Sequence, residues 1–390
     1  MRKGPLLALL LVTACKSKEP PAEEPPPAKA KAKATASTAP SVEPAPKATT
    51  ARIVARRDKI DTWHLVPVEG EPVPLGFDKK GSATYVFTLA GRLALVKFQA
   101  DGESAPSLFL ASIKGDALYL GPVVERDMTD TFVTATSRDG RTVLLSRSRK
   151  GVSAAAAEET VWITKLGVTG PVVRWTGRSS SGGTVSPDGT RALFSGVPST
   201  CTAAWVGNCP FHTFKVDLTT KAPVVEPFET PKVGAAYQPR FHPTDPETVY
   251  LQSTVTVAEG CTDVNHCRHD LVARSFTKSE PARLVRKNAY GIAFSPSGAV
   301  WTFLSLEGSA CTSLPCQAAA LYVGKETDLP REPVGADVAV FGVRSLSPDE
   351  LTFGYRGTEG GPSGTTGLVI RSVSGKKLRF LDGYTPFGWL

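Results

Sequence analysis

The sequence predicts an all-β propeller, and three observations carry that prediction. A Ser-Pro-Asp-Gly turn set between two apolar segments recurs along the chain in recognisable variants. The copies stand close to fifty residues apart. Past residue 51 the apolar residues keep the two-residue period of strands and show no sustained helical period.

The clearest copy is Val185-Ser186-Pro187-Asp188-Gly189-Thr190-Arg191-Ala192-Leu193-Phe194: a strand end, a tight turn and a new strand. Variants follow Ser137, Phe241-His242-Pro243, Phe294-Ser295-Pro296 and Leu346-Ser347-Pro348, with a weaker one at Leu89-Ala90-Gly91-Arg92. Aligned on the Asp188 position, the anchors are Ala90, Asp139, Asp188, Asp245, Ser297 and Asp349, with steps of 49, 49, 57, 52 and 52. A period near fifty with several short strands in each repeat is the mark of a propeller. Within one repeat, strands are expected before the Asp139 turn, at 142–146, at 160–164 and at 171–175. That makes four antiparallel strands, A to D. The aspartates Asp139, Asp188 and Asp349 are expected to bond their own backbone rather than to catalyse.

Six anchors give six full repeats between about 80 and 382. Residues 53–55, 62–67 and 72–75 then read as strands B, C and D with no A, and residues 384–390 read as an A strand with nothing after it. Joined, they make a seventh blade that closes the ring and hides two strand edges. Six blades with two loose ends is the alternative. The strand, Ser-Pro-Asp-Gly, strand pattern resembles the TolB-like and WD-repeat-like propellers. The resemblance spans most of 51–390; it implies the fold and says little about function.

Ahead of the repeats lie an address and a tether. Met1-Arg2-Lys3, a short apolar run over 6–12 and small residues before Cys15 form a secretory signal too short to span a bilayer. Val12-Thr13-Ala14-Cys15 resembles the lipobox of bacterial lipoproteins. That resemblance implies cleavage after residue 14, acylation of Cys15 and a stable membrane anchor, and Lys16 after the cysteine implies the outer membrane. The alternative is an ordinary signal with a chance cysteine. Residues 16–50 have no aromatic and almost no aliphatic side chain, so they are expected to stay disordered. Pro-rich and extended, they reach on the order of 100 Å. The expected domains are thus a signal (1–14), a lipidated tether (15–50) and a propeller (51–390).

The net charge is +8 over 390 residues. Without Arg2, Lys3 and the six Lys and four Glu of 16–50, the folded part keeps +4. That is too dispersed to argue for nucleic acid.

Besides Cys15 there are six cysteines in close pairs: Cys201 with Cys209, Cys261 with Cys267, and Cys311 with Cys316. Each pair falls between strands B and C of the third, fourth and fifth full repeats, and Thr follows each first member. An even count in an exported chain predicts disulfides. Fifteen pairings are formally open, and blade geometry favours the three local ones. Zinc is the rival, since Cys261, His266, Cys267 and His269 are ligand types, but their spacing matches no common zinc module. Stapled loops of neighbouring blades would form one rigid patch carrying Trp205, Phe211, His212, His266, Arg268 and His269. Stapling for durability alone is the other reading of the same loops.

No Gly-x-Ser-x-Gly elbow, P-loop or dinucleotide fingerprint occurs. The Gly-rich segments 179–183 and 360–364 read as loops. No cofactor, no metal and no catalytic residue is expected, and the chain is expected to be monomeric. The expected role is a non-catalytic envelope scaffold that binds a protein or polymer. A propeller lyase or hydrolase acting on polysaccharide and a purely structural component are the alternatives.

Overall fold

The repeat is built on its turn. In the clearest copy Ser186 Oγ donates to Asp188 Oδ1 at 2.6 Å and accepts from the Thr190 and Arg191 amides at 3.1 and 2.9 Å. Asp188 Oδ1 also accepts from the Thr190 amide and hydroxyl, at 3.0 and 2.8 Å. Gly189 N donates to Ser186 O at 2.9 Å, with φ at +71°, a conformation only glycine adopts without strain. These donors hold Asp188 below the ordinary carboxylate range although desolvation pushes the other way. The same serine-to-aspartate bond and Asx pattern recur at Ser137–Asp139 and Ser347–Asp349. The three aspartates are therefore turn residues that satisfy backbone donors in place of water.

The computed structural model describes residues 51–148, 158–201, 209, 212–229, 236–254, 269–305, 318–324, 334–339, 344–359 and 364–390. All belong to one unit of the chain, Thr49–Leu390. Its strands are β1 (Arg52–Arg57), β2 (Thr62–Pro67), β3 (Val73–Pro74), a short β4 (Gly76–Phe77), β5 (Gly81–Thr88), β6 (Leu93–Ala100), β7 (Ser107–Lys114) and β8 (Ala117–Glu125). Then come β9 (Thr131–Thr136), β10 (Thr142–Ser148), β11 (Glu159–Lys165), β12 (Val173–Val185), β13 (Arg191–Pro198), β14 (His212–Asp217) and β15 (Val225–Glu229). Next are β16 (Ala236–Phe241), β17 (Thr248–Thr254), β18 (His269–Ser275), β19 (Arg283–Arg286), β20 (Tyr290–Phe294), β21 (Trp301–Ser305), β22 (Ala318–Gly324) and β23 (Gly335–Ala339). The last are β24 (Arg344–Leu346), β25 (Thr352–Glu359), β26 (Thr365–Ser372), β27 (Lys377–Asp382) and β28 (Tyr384–Trp389). Among the described residues the only helical piece is a 3-10 turn, Ala90–Arg92.

Antiparallel pairing among the described residues gathers these strands in fours: β5–β8, β9–β12, β12–β15, β16–β19, β20–β23, β24–β27, and β28 with β1–β3. We call them units one to seven in that order. The fold is an all-β propeller. One expectation is corrected. Residues 179–183, read as a loop, lie inside β12, which serves two units. Its first part pairs with β11 up to Gly177 and its second with β13 up to Val185. Two register shifts, at Gly177/Ser179 and Ser180/Gly183, bend the strand without ending it. A Cβ at Gly177 would stand 2.1 Å from the Trp175 ring and 2.5 Å from Val197 O, so the crossing point has room for glycine alone.

Apolar side chains from each unit pack on the next. Phe98 and Val86 of unit one meet Trp63 and Leu65 of unit seven. Leu95 and Leu108 of unit one also meet Val143 and Leu145 of unit two, and Leu144 and Ile163 of unit two meet Phe194 and Val216 of unit three. Leu193 then meets Phe241 and Leu251, Tyr250 and Leu271 meet Trp301 and Phe303, and Leu304 and Leu321 meet Phe353 and Tyr355. Leu368 and Ile370 of unit six close on Ile53, Val66 and Trp389 of unit seven. The chain of interfaces therefore returns to its start.

Unit seven joins both ends of the described chain. β28 pairs antiparallel with β1 from Ile53↔Trp389 to Arg57↔Tyr384. Leu390 N donates to Arg52 O at 2.8 Å, and Asp58 N to Gly383 O at 2.8 Å. Two tryptophans tie the unit to both neighbours. Trp63 Nε1 donates to Ala83 O of unit one at 2.9 Å, and Trp389 Nε1 donates to Ser345 O of unit six at 3.0 Å. Both rings are buried.

Turns at the A–B end also touch around the ring. Thr142 Oγ1 donates to Gly189 O at 3.2 Å, and Ser297 N donates to Glu350 Oε1 at 2.9 Å. Glu350 holds φ at +60° where the copies at Gly140, Gly189 and Gly298 carry glycine, and its carboxylate reaches the neighbouring turn. Between units three and four, Arg191 Nη1 pairs with Glu247 Oε2 at 2.8 Å. Glu247 Oε1 accepts from Ser275 Oγ, from the Thr277 amide at 2.8 Å and from the Thr277 hydroxyl at 2.7 Å. Desolvation alone would raise its pKa; these donors outweigh it and lower it from 4.5 to about 2.

Two outcomes follow. Removing residues 384–390 is expected to abolish cooperative thermal unfolding, and Trp389→Ala alone to cost about 3–5 kcal/mol in denaturant melts; an unchanged midpoint for the truncated chain would refute closure by β28. For Glu247 the folded pKa is depressed, so its contribution is complete above pH 4.5 and is lost as pH falls toward 2. Glu247→Gln should therefore cost about 1–2 kcal/mol at pH 7, discounted for its partial exposure, and close to nothing near pH 2. Equal losses at both pH values would contradict this.

Candidate functional site

Strands B and C of each unit are joined at the end of the sheet opposite the Ser-x-Asp turns. In unit three β13 leaves the sheet at Pro198, Cys201 N donates back to Pro198 O at 3.1 Å, and the chain re-enters at His212. A disulfide joins Cys201 to Cys209, with their Cα atoms 6.1 Å apart. Cys209 is buried.

The loop is braced from the inner strand. Arg178, on β12, donates from Nη1 to Cys201 O at 2.9 Å, and the same atom lies 3.8 Å from Cys209 Sγ. Arg178 is itself buried, and this one nitrogen reaches both residues of the disulfide. An aromatic column runs into the sheet from there. The His212 ring stacks on Phe214 with centroids 6.3 Å apart, Phe214 lies 5.3 Å from Phe194, and Trp175 lies 5.0 and 5.2 Å from these two. These rings bury large apolar area and fix the base of the loop.

Of the residues the sequence singled out, the structure brings Cys201, Cys209 and His212 together at the B–C end of unit three. His269 opens β18 in unit four, its backbone opposite Thr254. Cys15, Trp205, Phe211, His266 and Arg268, and the pairs Cys261 with Cys267 and Cys311 with Cys316, lie outside the described residues. Among the described residues no three His, Cys, Asp or Glu side chains converge where a metal ion could sit.

Sequence reasoning missed Arg178. It stands 23 residues from the carbonyl it holds, and no local spacing marks that contact. It also missed Arg240 on β16. Its Nη1 donates to Gly183 O on β12 at 2.9 Å and to Pro239 O at 3.0 Å, which ties the inner strands of units three and four. Desolvation pushes its pKa below the ordinary arginine value.

The staple and the brace differ in reach. The disulfide closes a separation of eight residues, so replacing both Cys201 and Cys209 by Ser should cost about 2 kcal/mol, the low end for disulfides. Arg178→Ala leaves Cys201 O without this donor and should cost about 1–3 kcal/mol in denaturant melts. A loss under a few tenths of a kcal/mol for Arg178→Ala would remove its bracing role.

No protein-family model and no curated protein sequence matches the chain. Solved structures do. An oligogalacturonate lyase in complex with manganese is 10% identical with TM-score 0.53, covering 80% of this chain and 82% of that one. Prolyl oligopeptidase B from Galerina marginata is 9% identical with TM-score 0.53, covering 85% of this chain and 49% of that one. TolB from Acinetobacter baumannii is 13% identical with TM-score 0.47, covering 84% and 78%. The chain thus spans about half the length of the oligopeptidase and about four-fifths of the other two. At these identities the likeness to the lyase and the oligopeptidase is one of fold, and it agrees with the sheets described above.

Proposed function

We propose that this protein is a lipid-anchored binding scaffold of the bacterial envelope, which holds a protein or an envelope polymer without turning it over. The observation that carries the reading is the B–C loop of unit three, stapled by Cys201–Cys209 and braced by buried Arg178. Ends pinned at Cys201 and Cys209 leave less entropy to lose on contact, so aromatic and cationic side chains carried between and beside them can contribute to affinity. In this reading the pairs Cys261–Cys267 and Cys311–Cys316 staple the corresponding loops of units four and five. Trp205, Phe211, His212, His266, Arg268 and His269 then share one patch.

Cys15 carries the acyl anchor, and residues 16–50 hold the propeller up to about 100 Å from the lipid surface. Lys16 after the cysteine favours the outer membrane. We also propose seven blades, closed by β28 against β1. The support is the set of interfaces that returns from unit six through unit seven to unit one. Fold alone does not select between binding and catalysis.

Two measurements test the reading. The full chain should partition into detergent, and Cys15→Ala should leave a non-lipidated form in the aqueous phase; wild-type protein found wholly in that phase would remove the anchor. In pull-downs from an envelope fraction, the partner retained by wild type should be lost with both Arg268→Glu and Trp205→Ala. A partner retained by both variants would place binding elsewhere on the propeller, and turnover of a polysaccharide by the purified chain would favour the lyase or hydrolase alternative.

A further inference from the structure

A cavity of about 260 Å³ opens between units one and two, lined by three arginines together with Glu125, Asp127 and Trp162. The arginines come from separate places. Arg126 begins the connection that leaves β8, Arg147 lies near the end of β10, and Arg174 lies on β12 opposite Trp162.

Both acids and one arginine are already engaged. Glu125 Oε2 accepts from Trp162 Nε1 at 3.3 Å. Arg147 donates from Nε to Thr131 Oγ1 at 2.8 Å and from Nη2 to the Asp127 carbonyl, and it lies 3.7 Å from the Asp127 carboxylate. Its guanidinium also sits over the Trp162 ring, 5.5 Å from the centroid. These contacts fix Arg147, Asp127, Glu125 and Trp162 to one another as a wall. Among the described residues, Arg126 and Arg174 make no ion pair and no side-chain hydrogen bond. Two guanidinium forks therefore line a cavity in which three arginines outnumber two acids, Asp127 facing Arg147 and Glu125 held by the Trp162 indole and the Arg126 amide.

A guanidinium presents parallel N–H donors that match a carboxylate or phosphate. The volume is below the ~300–1,000 Å³ of sites for drug-sized ligands, so it suits a smaller occupant. We propose that this cavity binds a small oxyanion, a carboxylate or phosphate on a molecule no larger than a monosaccharide, with Arg126 and Arg174 as its ligands and Arg147 with Trp162 as the fixed wall. This site is separate from the stapled loop of unit three. β12 runs between the two and carries Arg174 and, four residues on, Arg178.

The test is calorimetric titration of the full chain with inorganic phosphate, with glucuronate and with glucose. At least one of the two anions should bind, glucose should not, and binding should weaken as salt is raised. Arg126→Gln with Arg174→Gln should weaken anion binding at least about tenfold, roughly the loss of one charge-assisted bond, with an unchanged melting curve. The Arg→Lys pair, which keeps charge without the fork, should fall between. Preference for glucuronate would place the anion on a sugar body, and preference for phosphate would place it as a free ion; both are the proposed chemistry. Failure of wild type to bind either anion at millimolar concentration, equal binding by the Gln pair, or glucose binding as strong as glucuronate would each overturn the proposal.

Discussion

The pairing of β28 with β1 is the constraint on which the rest of the propeller depends. A sheet of four strands buries its faces only against neighbouring sheets, and a row of such sheets would leave two apolar faces bare at its ends. The closing unit removes both. Trp63 and Leu65 pack on unit one, Ile53 and Trp389 pack on unit six, and the two indole N–H groups find carbonyls in those same neighbours. Three of its strands come from the start of the folded region and one from its end. The ring therefore closes only once the last strand is in place, a contact of high sequence separation that is slow to form and disfavours partial opening afterwards.

The two ends of the sheets carry different kinds of chemistry. At the A–B end, Ser186, Asp188 and their counterparts spend their polar atoms on their own turns, and Thr142, Glu350 and Glu247 reach the next unit. That end is a structural belt, since its polar groups are consumed internally. At the B–C end the connections vary: unit seven turns tightly over 58–61, unit one takes 101–106, and the ends of the unit-three loop are held by a disulfide and a buried arginine. A rigid frame that presents long restrained loops is the arrangement in which side chains can be exchanged without disturbing the core.

β12 couples these levels. It is the outer strand of unit two and the inner strand of unit three, with Gly177 at the crossing. Along it lie Arg174 in the cavity between units one and two, Trp175 in the aromatic column, Arg178 under the disulfide, and Gly183, whose carbonyl receives Arg240. A disturbance at the crossing would reach all four, because the strand has no turn in which to absorb it.

The sequence by itself determined what local chemistry determines. Each Ser-Pro-Asp-Gly turn and its flanking strands are written within a few residues, and the fifty-residue period and the leftover strands at either end follow from counting those local copies. Backbone bonding by Asp139, Asp188 and Asp349 was legible for the same reason, since the partners lie two residues away. Cys201 and Cys209 were legible as a pair because one hairpin loop contains both. Only the tertiary structure decided the rest. The continuity of β12 through 179–183 was hidden because Gly and Ser read as loop residues, while pairing partners on both sides hold that segment extended. Arg178, Arg240 and the groups around Trp162 meet across 23 to 57 residues or between different units, and no periodicity or spacing encodes such meetings. A guanidinium becomes a brace or a ligand only through what the folded chain sets beside it.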